Sequence, residues 1–537
     1  MKFLLSFILS LSFFFLHAQD PYPVDHNLDI QHYEFQLEIA DDTDELKGKA
    51  IIQLRYLDET KNAFAIDLVN KNAEGKGMSI SSIKDKKSGR NLDFEHINNR
   101  VIINTSTGPS HEIEITYQGI PQNGLIISQN KYGERTFFGD NWPNRAHHWL
   151  PVVDHPSDKA SCAFIVTAPN HYQVIGTGAF VESTDIDATR RRTHWQTDVD
   201  IATKVMVMGA ARFAIKTEEI IDGVAVQSWV YPQDREKGFY DYALATQSLQ
   251  FFNYYVGPYS YEKLANVQSK TRYGGMENAS NIFYTESSVT GDRAAESLIA
   301  HEVAHQWFGN SVSEKDWYHI WLSEGFATYF TQLYFEHYYG REKLAEGMQQ
   351  ARFTVVKHWE GTKTSPVLDT LITDLNRLLS PNSYQKGAWV LHMLRKEIGD
   401  TNFRNGIRAY YAQYQNKNAL SDDFRKVMEE VTGEDLSWFF EQWLRQPGHP
   451  IIEATWEYNT NAKAAIIDFS QTQNGHIFRF PIDIAVYTEG NNLPQIYTIE
   501  IDEKTTQIPL PSDQAPSHIS LDPGTWLLFQ GNVERKK

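Results

Sequence analysis

The chain has 537 residues, which is too many for one compact core, and we expect about three domains. Hydrophobic residues make up 41% and charged residues 22% of the chain, a composition that excludes an intrinsically disordered protein. The formal net charge is -18, so nucleic acid is not expected as a partner, because an acidic surface repels a phosphate backbone.

The first eighteen residues have the features of a secretory signal peptide. Lys2 is followed by an apolar run at residues 3–16 and by the small residue Ala18, after which we expect cleavage. A run of fourteen residues is too short to cross about 30 Å of hydrocarbon comfortably as a helix. We therefore predict an exported protein, periplasmic or secreted, with no stable membrane insertion after signal cleavage; an uncleaved membrane anchor is the alternative.

Residues 19–212 are predicted to form an N-terminal all-β domain. Apolar side chains alternate with polar ones, as in YEFQLEI at residues 33–39, KAIIQLRYL at 49–57 and HEIEITY at 111–117. This period of two is typical of half-buried antiparallel strands separated by polar turns. Cys162 is the only cysteine, which excludes an intramolecular disulfide, and its apolar surroundings predict that it is buried.

Residues 213–448 change to a helical period and are predicted to form a mostly helical or α+β middle domain. The segments with a period of 3.6 each end at a glycine, as helices often do; they are KGFYDYALATQSLQFFNYYVG, RAAESLIAHEVAHQWFG, WLSEGFATYFTQLYFEHYYG and SYQKGAWVLHMLRKEIG. The turn-forming cluster QPGHP at residues 446–450 marks the next boundary. Short apolar strands follow it, so residues 449–537 are predicted to form a small β-sandwich.

The segment GDRAAESLIAHEVAHQWFGN, residues 291–310, places two histidines and an acid inside an apolar helical run. His301 and His305 are four residues apart, so they lie on one helix face and can direct two imidazole nitrogens at one point. Glu302 is rotated about 100° from His301 and is placed to act on a water instead of the metal. This HExxH spacing predicts a zinc site in which Glu302 is the general base on zinc-bound water.

A catalytic zinc site needs a third protein ligand, and the strongest candidate is Glu324 in WLSEGFATYF. Glu324 follows His305 after 18 intervening residues that contain loop signals at residues 309–311. A second, antiparallel helix that begins near Leu322 can return Glu324 to a position beside His301. Two histidines, one glutamate and one water form an open, hydrolytic site. The alternative is a chance match in which both histidines are satisfied at the surface.

These motifs resemble those of the zinc aminopeptidases of the aminopeptidase N and leukotriene hydrolase type. HEVAHQWFGN followed by WLSEGFATYF is similar to the zinc signature of that family, YGGMENAS at residues 273–280 to its exopeptidase motif, and SYQKGAWVLHMLR to the segment that carries its catalytic tyrosine. The resemblance covers nearly the whole chain after the predicted signal peptide. It implies a multidomain α+β protein with a saddle-like N-terminal β domain, a thermolysin-like catalytic domain and a C-terminal β-sandwich.

The resemblance also implies a role for individual residues. His301, His305 and Glu324 are expected to hold one Zn²⁺ per chain, and the hydroxyl of Tyr384 to stabilise the oxyanion that forms on the substrate. Glu277 is expected to pair with the free α-ammonium group of a peptide, which places the first peptide bond at the metal. Without the resemblance, Tyr384 would be interpreted as an ordinary packing residue at a helix start.

The residues around Glu277 are further candidates for substrate binding. Gly274 and Gly275 would let the backbone approach an extended substrate, Met276 would line the pocket for the first side chain, and Asn278 completes the motif. Taken alone, this segment would be interpreted as a glycine turn with an exposed acid. Asp140 lies where many relatives offer a Gln or Glu as a second ligand for the amine, and capping a turn is its alternative role.

We therefore predict an exported zinc aminopeptidase that acts on peptides with a free N-terminus. A catalytically inactive family member could instead serve as a peptide-binding scaffold. A zinc endopeptidase is the expectation if Glu277 faces away from the metal, and an epoxide hydrolase-type relative is a further alternative. The chain retains the complete set of residues that activity would need, which are His301, Glu302, His305, Glu324, Glu277 and Tyr384.

Overall fold

A computed structural model describes residues 22–58, 60–105, 108–362, 365–490 and 493–536. The predicted signal peptide, residues 1–18, lies outside these ranges. Strands form the first part of the described chain, helices dominate its middle and strands return at its end, which confirms the predicted multidomain α+β class. Within the described ranges, no helix combines the length and the apolar character that crossing a bilayer requires.

The described N-terminal region consists of strands joined by turns, as predicted. Its strands are β1 (Leu28–Glu38), β2 (Leu46–Tyr56), β3 (Ala63–Asp67), β4 (Gly77–Asp85), β5 (Phe94–Ile97), β6 (Arg100–Asn104), β7 (Ser110–Ile120), β8 (Leu125–Gln129), β9 (Arg135–Gly139), β10 (Lys159–Pro169), β11 (Gln173–Gly176), β12 (Ala179–Asp185), β13 (Arg190–Ala202) and β14 (Met208–Ala211). They form sheets in the orders β12-β13-β10-β1-β2-β7-β4, β11-β14-β9-β8 and β3-β6-β5.

The largest of these sheets shows the alternation that the sequence predicts. In β1, Tyr33, Phe35 and Leu37 are buried, whereas Glu34 between them is partly exposed. β1 runs antiparallel to β2 and parallel to β10, with Tyr33 opposite Cys162. Cys162 is fully buried, which confirms that it is a core residue.

The middle region begins with a mixed sheet. Its strands, and two short strands farther along the chain, are β15 (Ala214–Ile221), β16 (Val224–Val230), β17 (Lys263–Ser269), β18 (Gly275–Met276), β19 (Asn281–Thr285), β20 (Ser313–Glu314) and β21 (Asn418–Ala419). In the order β15-β16-β17-β19-β18, strands β16, β17 and β19 are parallel and β18 is antiparallel to β19. Among the described strands, β18 is thus paired on one side only.

Helices make up most of the rest of the middle region. They are α1 (Arg235–Tyr242), α2 (Leu244–Tyr255), α3 (Glu296–His305), α4 (Trp321–Tyr339), α5 (Arg341–Thr362), α6 (Gly387–Ile398), α7 (Asp400–Tyr414), α8 (Ser421–Thr432) and α9 (Ser437–Phe440). The segment predicted as one helix at residues 237–257 is divided into α1 and α2. α4 ends at Gly340, whose φ of 88° lies in the left-handed region that glycine tolerates.

The C-terminal region returns to strands, as predicted: β22 (Ile451–Asn459), β23 (Ala464–Gln471), β24 (Phe480–Thr488), β25 (Gln495–Ile501), β26 (Thr505–Pro511), β27 (Pro516–Leu521) and β28 (Gln530–Arg535). They form sheets in the orders β26-β23-β22-β28 and β25-β24-β27. Trp456 and Ile467 of the first sheet and Ile482 of the second belong to one buried apolar cluster. The predicted domain boundaries at residues 212 and 448 fall between elements, and the division into domains stays a prediction.

The N-terminal region packs directly against the middle region. One buried apolar cluster joins Trp142 and Trp149 of the N-terminal region to Val267, Phe283 and Trp317 of the middle region. The rings of Trp142 and Trp317 meet edge to face with their centroids 6.0 Å apart. Because apolar burial favours this contact, Trp142 is held beside a cavity that it lines together with residues of α3 and α4.

Helices α4 and α6 cross with their backbones almost in contact. A Cβ atom added at Gly325 would lie 2.9 Å from backbone atoms of Gly387. The helices can approach this closely because the residues at the crossing point, Gly325 and Gly387, have no side chains. The crossing also fixes two predicted site residues, since Gly325 directly follows Glu324 and Gly387 lies three positions after Tyr384.

We predict that Gly325→Ala destabilises the protein by about 1–3 kcal/mol, because the added methyl group forces the two helices apart. Thermal unfolding followed by circular dichroism would show a lower midpoint. Gly361→Ala is the matched control, because Gly361 is an exposed position in α5 where an added Cβ meets nothing within 4 Å. Equal midpoints for Gly325→Ala and the unmodified chain would contradict the tight crossing.

Candidate metal and active site

Three side chains from two helices converge on one point. His301 and His305 lie one turn apart on α3, and Glu324 lies in the first turn of α4. The Nε2 atoms of the two histidines are 3.1 Å apart. Glu324 Oε2 lies 3.7 Å from His301 Nε2 and 3.2 Å from His305 Nε2. The structure thus brings together the three residues that were predicted as metal ligands.

Contacts behind His305 orient its ring toward this point. His305 Nδ1 lies 3.1 Å from the carbonyl oxygen of Phe308, which can only accept a hydrogen bond. Nδ1 therefore carries a hydrogen, and Nε2 is the ring nitrogen that could bind a metal ion. Two imidazoles and one carboxylate form the donor set of open zinc sites, so these residues fit Zn²⁺.

Glu302 lies beside the ligands without joining them. It is buried and lines the same cavity as the three ligands. Burial raises the pKa of Glu302 to about 8; a positive charge on His305 opposes this shift, and the carboxylates of Glu277 and Glu324 add to it. A carboxylate whose pKa lies near neutrality is well suited to accept a proton and return it.

Tyr384 reaches the cavity from a π-helical turn, Asn382–Lys386, that precedes α6. Its ring stacks on the His301 ring, with centroids 6.1 Å apart and 13° between the planes. Burial raises the pKa of Tyr384 well above its usual value, and the Glu324 carboxylate adds to the shift. The hydroxyl therefore remains protonated and available as a hydrogen-bond donor.

Glu277 follows the edge strand β18 and lines the same cavity. Its Oε1 atom is buried and has no hydrogen-bond partner in the described part of the chain. Its backbone carbonyl, in contrast, accepts hydrogen bonds from Gln306 Nε2 at 2.9 Å and from Asn310 Nδ2 at 2.6 Å. Sequence reasoning did not single out Gln306 or Asn310, although both lie within the motif HEVAHQWFGN.

The other predicted substrate-binding residues divide into two groups. Gly274, Gly275 and Met276 line the cavity beside Glu277. Asn278 is fully buried behind them and is not part of the cavity wall. The motif therefore contributes its first residues to the wall and its asparagine to the packing.

Asp140 is not among the residues that line the cavity, and its binding of an amine stays a prediction. The side chain is buried and pairs with Arg145, whose Nη2 lies 2.9 Å from Asp140 Oδ1. Asp140 Oδ2 accepts hydrogen bonds from the Thr271 hydroxyl at 3.3 Å and from the Arg272 amide at 3.1 Å. These contacts match its alternative role, because they hold the loop that leads to Gly274.

The cavity combines carboxylates with apolar walls and has a volume of about 310 Å³. Aromatic and aliphatic side chains enclose the metal-ligand group, so charges inside it are poorly screened by water. Its lining residues are Trp142, Tyr273, Gly274, Gly275, Met276, Glu277, Leu298, His301, Glu302, His305, Glu324, Leu379 and Tyr384. Such a site can hold a divalent cation, a proton acceptor and a positively charged ligand group side by side.

Two family models match the chain. The model described as the peptidase M1 N-terminal domain matches residues 30–205, which form most of the N-terminal β region. The model described as the peptidase family M1 domain matches residues 240–443, which include α3, α4 and Tyr384. Together the two matches cover most of the described chain.

Curated relatives agree with these matches. The chain is 25% identical over 450 residues to the leucyl aminopeptidase of Saccharolobus solfataricus, covering 79% of this chain and 54% of that protein. It is 26% identical over 343 residues to the glutamyl aminopeptidase of Homo sapiens, covering 61% of this chain and 36% of that protein. It is 26% identical over 401 residues to the probable aminopeptidase 2 of Sulfurisphaera tokodaii, covering 70% of this chain and 50% of that protein. The chain spans about half the length of these relatives or less. Both family models assign the chain to one family, and it belongs to peptidase family M1.

Proposed function

We propose that the chain is an exported, zinc-dependent aminopeptidase that hydrolyses the N-terminal peptide bond of peptides. The observation that carries this proposal is the buried Oε1 atom of Glu277, which has no hydrogen-bond partner among the described residues. It lies in the same cavity as the His301, His305 and Glu324 group. A buried carboxylate oxygen without a partner is unfavourable unless a ligand supplies a donor. A protonated peptide N-terminus supplies that donor and the compensating charge.

The described residues can perform the steps of hydrolysis around a metal. His301, His305 and Glu324 would hold Zn²⁺, which when bound polarises the scissile carbonyl and lowers the pKa of a water molecule. Glu302 takes a proton from the attacking water and delivers it to the leaving amine. The Tyr384 hydroxyl donates a hydrogen bond to the oxygen on which negative charge develops.

Substrate orientation follows from β18 and Glu277. The free edge of β18 presents backbone groups that an extended peptide can pair with. Glu277 lies at the end of that edge, where its carboxylate would meet the α-ammonium group. A peptide held in this way places its first carbonyl, and no later one, beside the metal ligands.

The names of the relatives support hydrolysis of peptides, and the complete ligand, base and amine-binding set disfavours a binding scaffold. Export rests on the sequence of residues 1–18, which has the features of a secretory signal. An endopeptidase would make no use of a buried carboxylate reserved for an amine. Substrates that differ only in their N-terminal charge therefore separate these functions.

We predict that Glu277 makes the enzyme depend on a free N-terminus. The unmodified protein should cleave leucine p-nitroanilide and should not cleave its N-acetylated form, because acetylation removes the positive charge. Glu277→Gln should lower kcat/KM for the free-amine substrate about 10- to 100-fold, the value of one charge-assisted hydrogen bond. Equal cleavage of both substrates by the unmodified protein would indicate an endopeptidase. Cleavage of neither substrate, nor of a wider panel of aminoacyl amides, would indicate a scaffold.

We predict that turnover requires both the metal and the proton acceptor. Dialysis against a chelator should abolish activity, and added Zn²⁺ should restore it. Glu302→Gln should lower kcat about 10²- to 10⁴-fold, because the amide cannot accept the proton, while the zinc content stays at one per chain. Zinc content measured by atomic emission distinguishes loss of the base from loss of the metal. A Glu302→Gln variant that keeps its rate would show that another group is the base.

We predict that the space at Gly275 is needed to position Glu302. A Cβ atom added at Gly275 would lie 2.5 Å from Glu302 Oε1, so Gly275→Ala must displace the carboxylate. Activity should fall at least about tenfold, since small displacements of catalytic groups are costly, and the zinc content should not change. Gly361→Ala is the control, because Gly361 is not among the residues that line the cavity and a Cβ added there meets nothing within 4 Å. Equal activity of the two variants would contradict this role of Gly275.

A further inference from the structure

We propose that Gln306 and Asn310 are positioning residues that set the distance between the metal-ligating helix and the amine-binding carboxylate of Glu277. The proposal rests on the proposed aminopeptidase function and adds to it a reason for cleavage after one residue. Both side chains are almost fully buried, and both donate a hydrogen bond to the backbone carbonyl of Glu277. Neither residue is among those that line the cavity within the described chain.

Gln306 holds both ends of the turn that follows Glu277. Its Nε2 donates to the Glu277 carbonyl at 2.9 Å, and its Oε1 accepts from the Ser280 amide at 3.0 Å. Ser280 has a φ of 63°, in the left-handed region that serine adopts less readily than glycine. One side-chain amide thus supplies a hydrogen-bond partner to a buried carbonyl at one end of the turn and to a buried amide at the other.

Asn310 provides a second attachment from the loop after α3. Its Nδ2 lies 2.6 Å from the Glu277 carbonyl, and its backbone amide donates to the carbonyl of His305 at 3.1 Å. Asn310 is held in turn from the N-terminal region, because Lys159 Nζ donates to the Asn310 carbonyl at 3.0 Å and to the Ser311 carbonyl at 2.8 Å. The Glu277 backbone is therefore attached to the residues that directly follow the metal ligand His305.

The backbone and the side chain of Glu277 have different hydrogen-bonding states, and this difference is the reason to assign a positioning role to Gln306 and Asn310. Its carbonyl accepts two hydrogen bonds, whereas its buried Oε1 atom has no partner among the described residues. The backbone is therefore fixed before a ligand arrives, and the side chain keeps its acceptor for the ligand. A preorganised acceptor loses little conformational entropy on binding, so more of the interaction contributes to affinity.

The distance between the two ends of the site should therefore depend on Gln306 and Asn310. If the Glu277 backbone moves relative to α3, a ligand can still bind the metal or the carboxylate separately. It then contacts the two together in a poorer geometry. Loss of either amide should weaken the contribution of the ligand amine without changing the affinity of the metal-binding end. A residue that only stabilised the fold would weaken both contributions together.

A pair of ligands isolates the amine contribution. Leucine hydroxamate and 4-methylpentanoyl hydroxamate share the metal-binding group and the side chain, and differ only in the α-amine. Dissociation constants of both should be measured by titration calorimetry on the zinc-loaded full chain, with zinc content and melting temperature recorded for each variant. The dissociation constant of the amine-free ligand divided by that of leucine hydroxamate reports how much the amine contributes to binding.

We expect Gln306→Met to reduce this ratio about five- to tenfold, the value of one lost hydrogen bond. Binding of the amine-free ligand should remain within about twofold. Asn310→Ser removes the second amide, should reduce the ratio in the same direction, and serves as the test if Gln306→Met does not fold. Ser313→Ala is the matched control, because Ser313 Oγ donates to the carbonyls of Gly309 and Asn310 and not to Glu277.

A double-mutant cycle with Glu277→Gln completes the test. Once the carboxylate is gone, Gln306→Met should cause no further loss in the ratio, because both changes act through the same contact. Equal weakening of both hydroxamates by Gln306→Met and by Asn310→Ser would overturn the positioning role while leaving the aminopeptidase function in place. An unmodified protein that binds both hydroxamates equally would overturn the aminopeptidase function and the positioning role together.

Discussion

The concentration of negative charge in one small cavity is the constraint on which the rest of the site depends. Glu277, Glu302 and Glu324 line a space of about 310 Å³ together with two imidazoles. Buried carboxylates that share one cavity repel one another, because little water screens their charges. The cavity therefore favours positive charge, and the proposed function supplies it from two sources: a divalent cation at the histidines and an ammonium group at Glu277.

The positions of the carboxylates and imidazoles are fixed more by backbone contacts than by contacts among these side chains. Glycine at 275 leaves room for the Glu302 carboxylate, and glycine at 325 and 387 lets α4 approach the turn that carries Tyr384. Around His305, the Phe308 carbonyl fixes the ring. Dense packing of this kind limits relaxation, so each group stays at the distance its chemistry needs.

The sequence predicted the parts of the site that follow from local periodicity. Histidines four residues apart lie on one face of a helix, so the spacing predicted that the rings of His301 and His305 lie close together. Glu324 followed from the need for a third ligand and from the next amphipathic helix. The alternation of apolar side chains likewise predicted the strands of the first region, including the burial of Cys162.

What could not be predicted depends on contacts between distant segments. The π-helical turn that carries Tyr384 has no period of its own, and the sequence does not show which carbonyl a buried amide such as Gln306 will face. Asp140 illustrates the same limit. The resemblance suggested Asp140 as an amine ligand, but the sequence does not show that its carboxylate pairs with Arg145, five residues away.

Under the proposed function, cleavage after a single residue requires two fixed points whose separation matches one amino acid. One point is the metal-ligand group on α3, and the other is the Glu277 carboxylate at the end of β18. An error of a fraction of an ångström between them would favour binding at one point over the other. Helix α3 carries the histidines and leads directly into the residues that hold the Glu277 backbone, so motion of α3 displaces both points together. Their separation is therefore less sensitive to motion than it would be if the carboxylate stood on an independent loop.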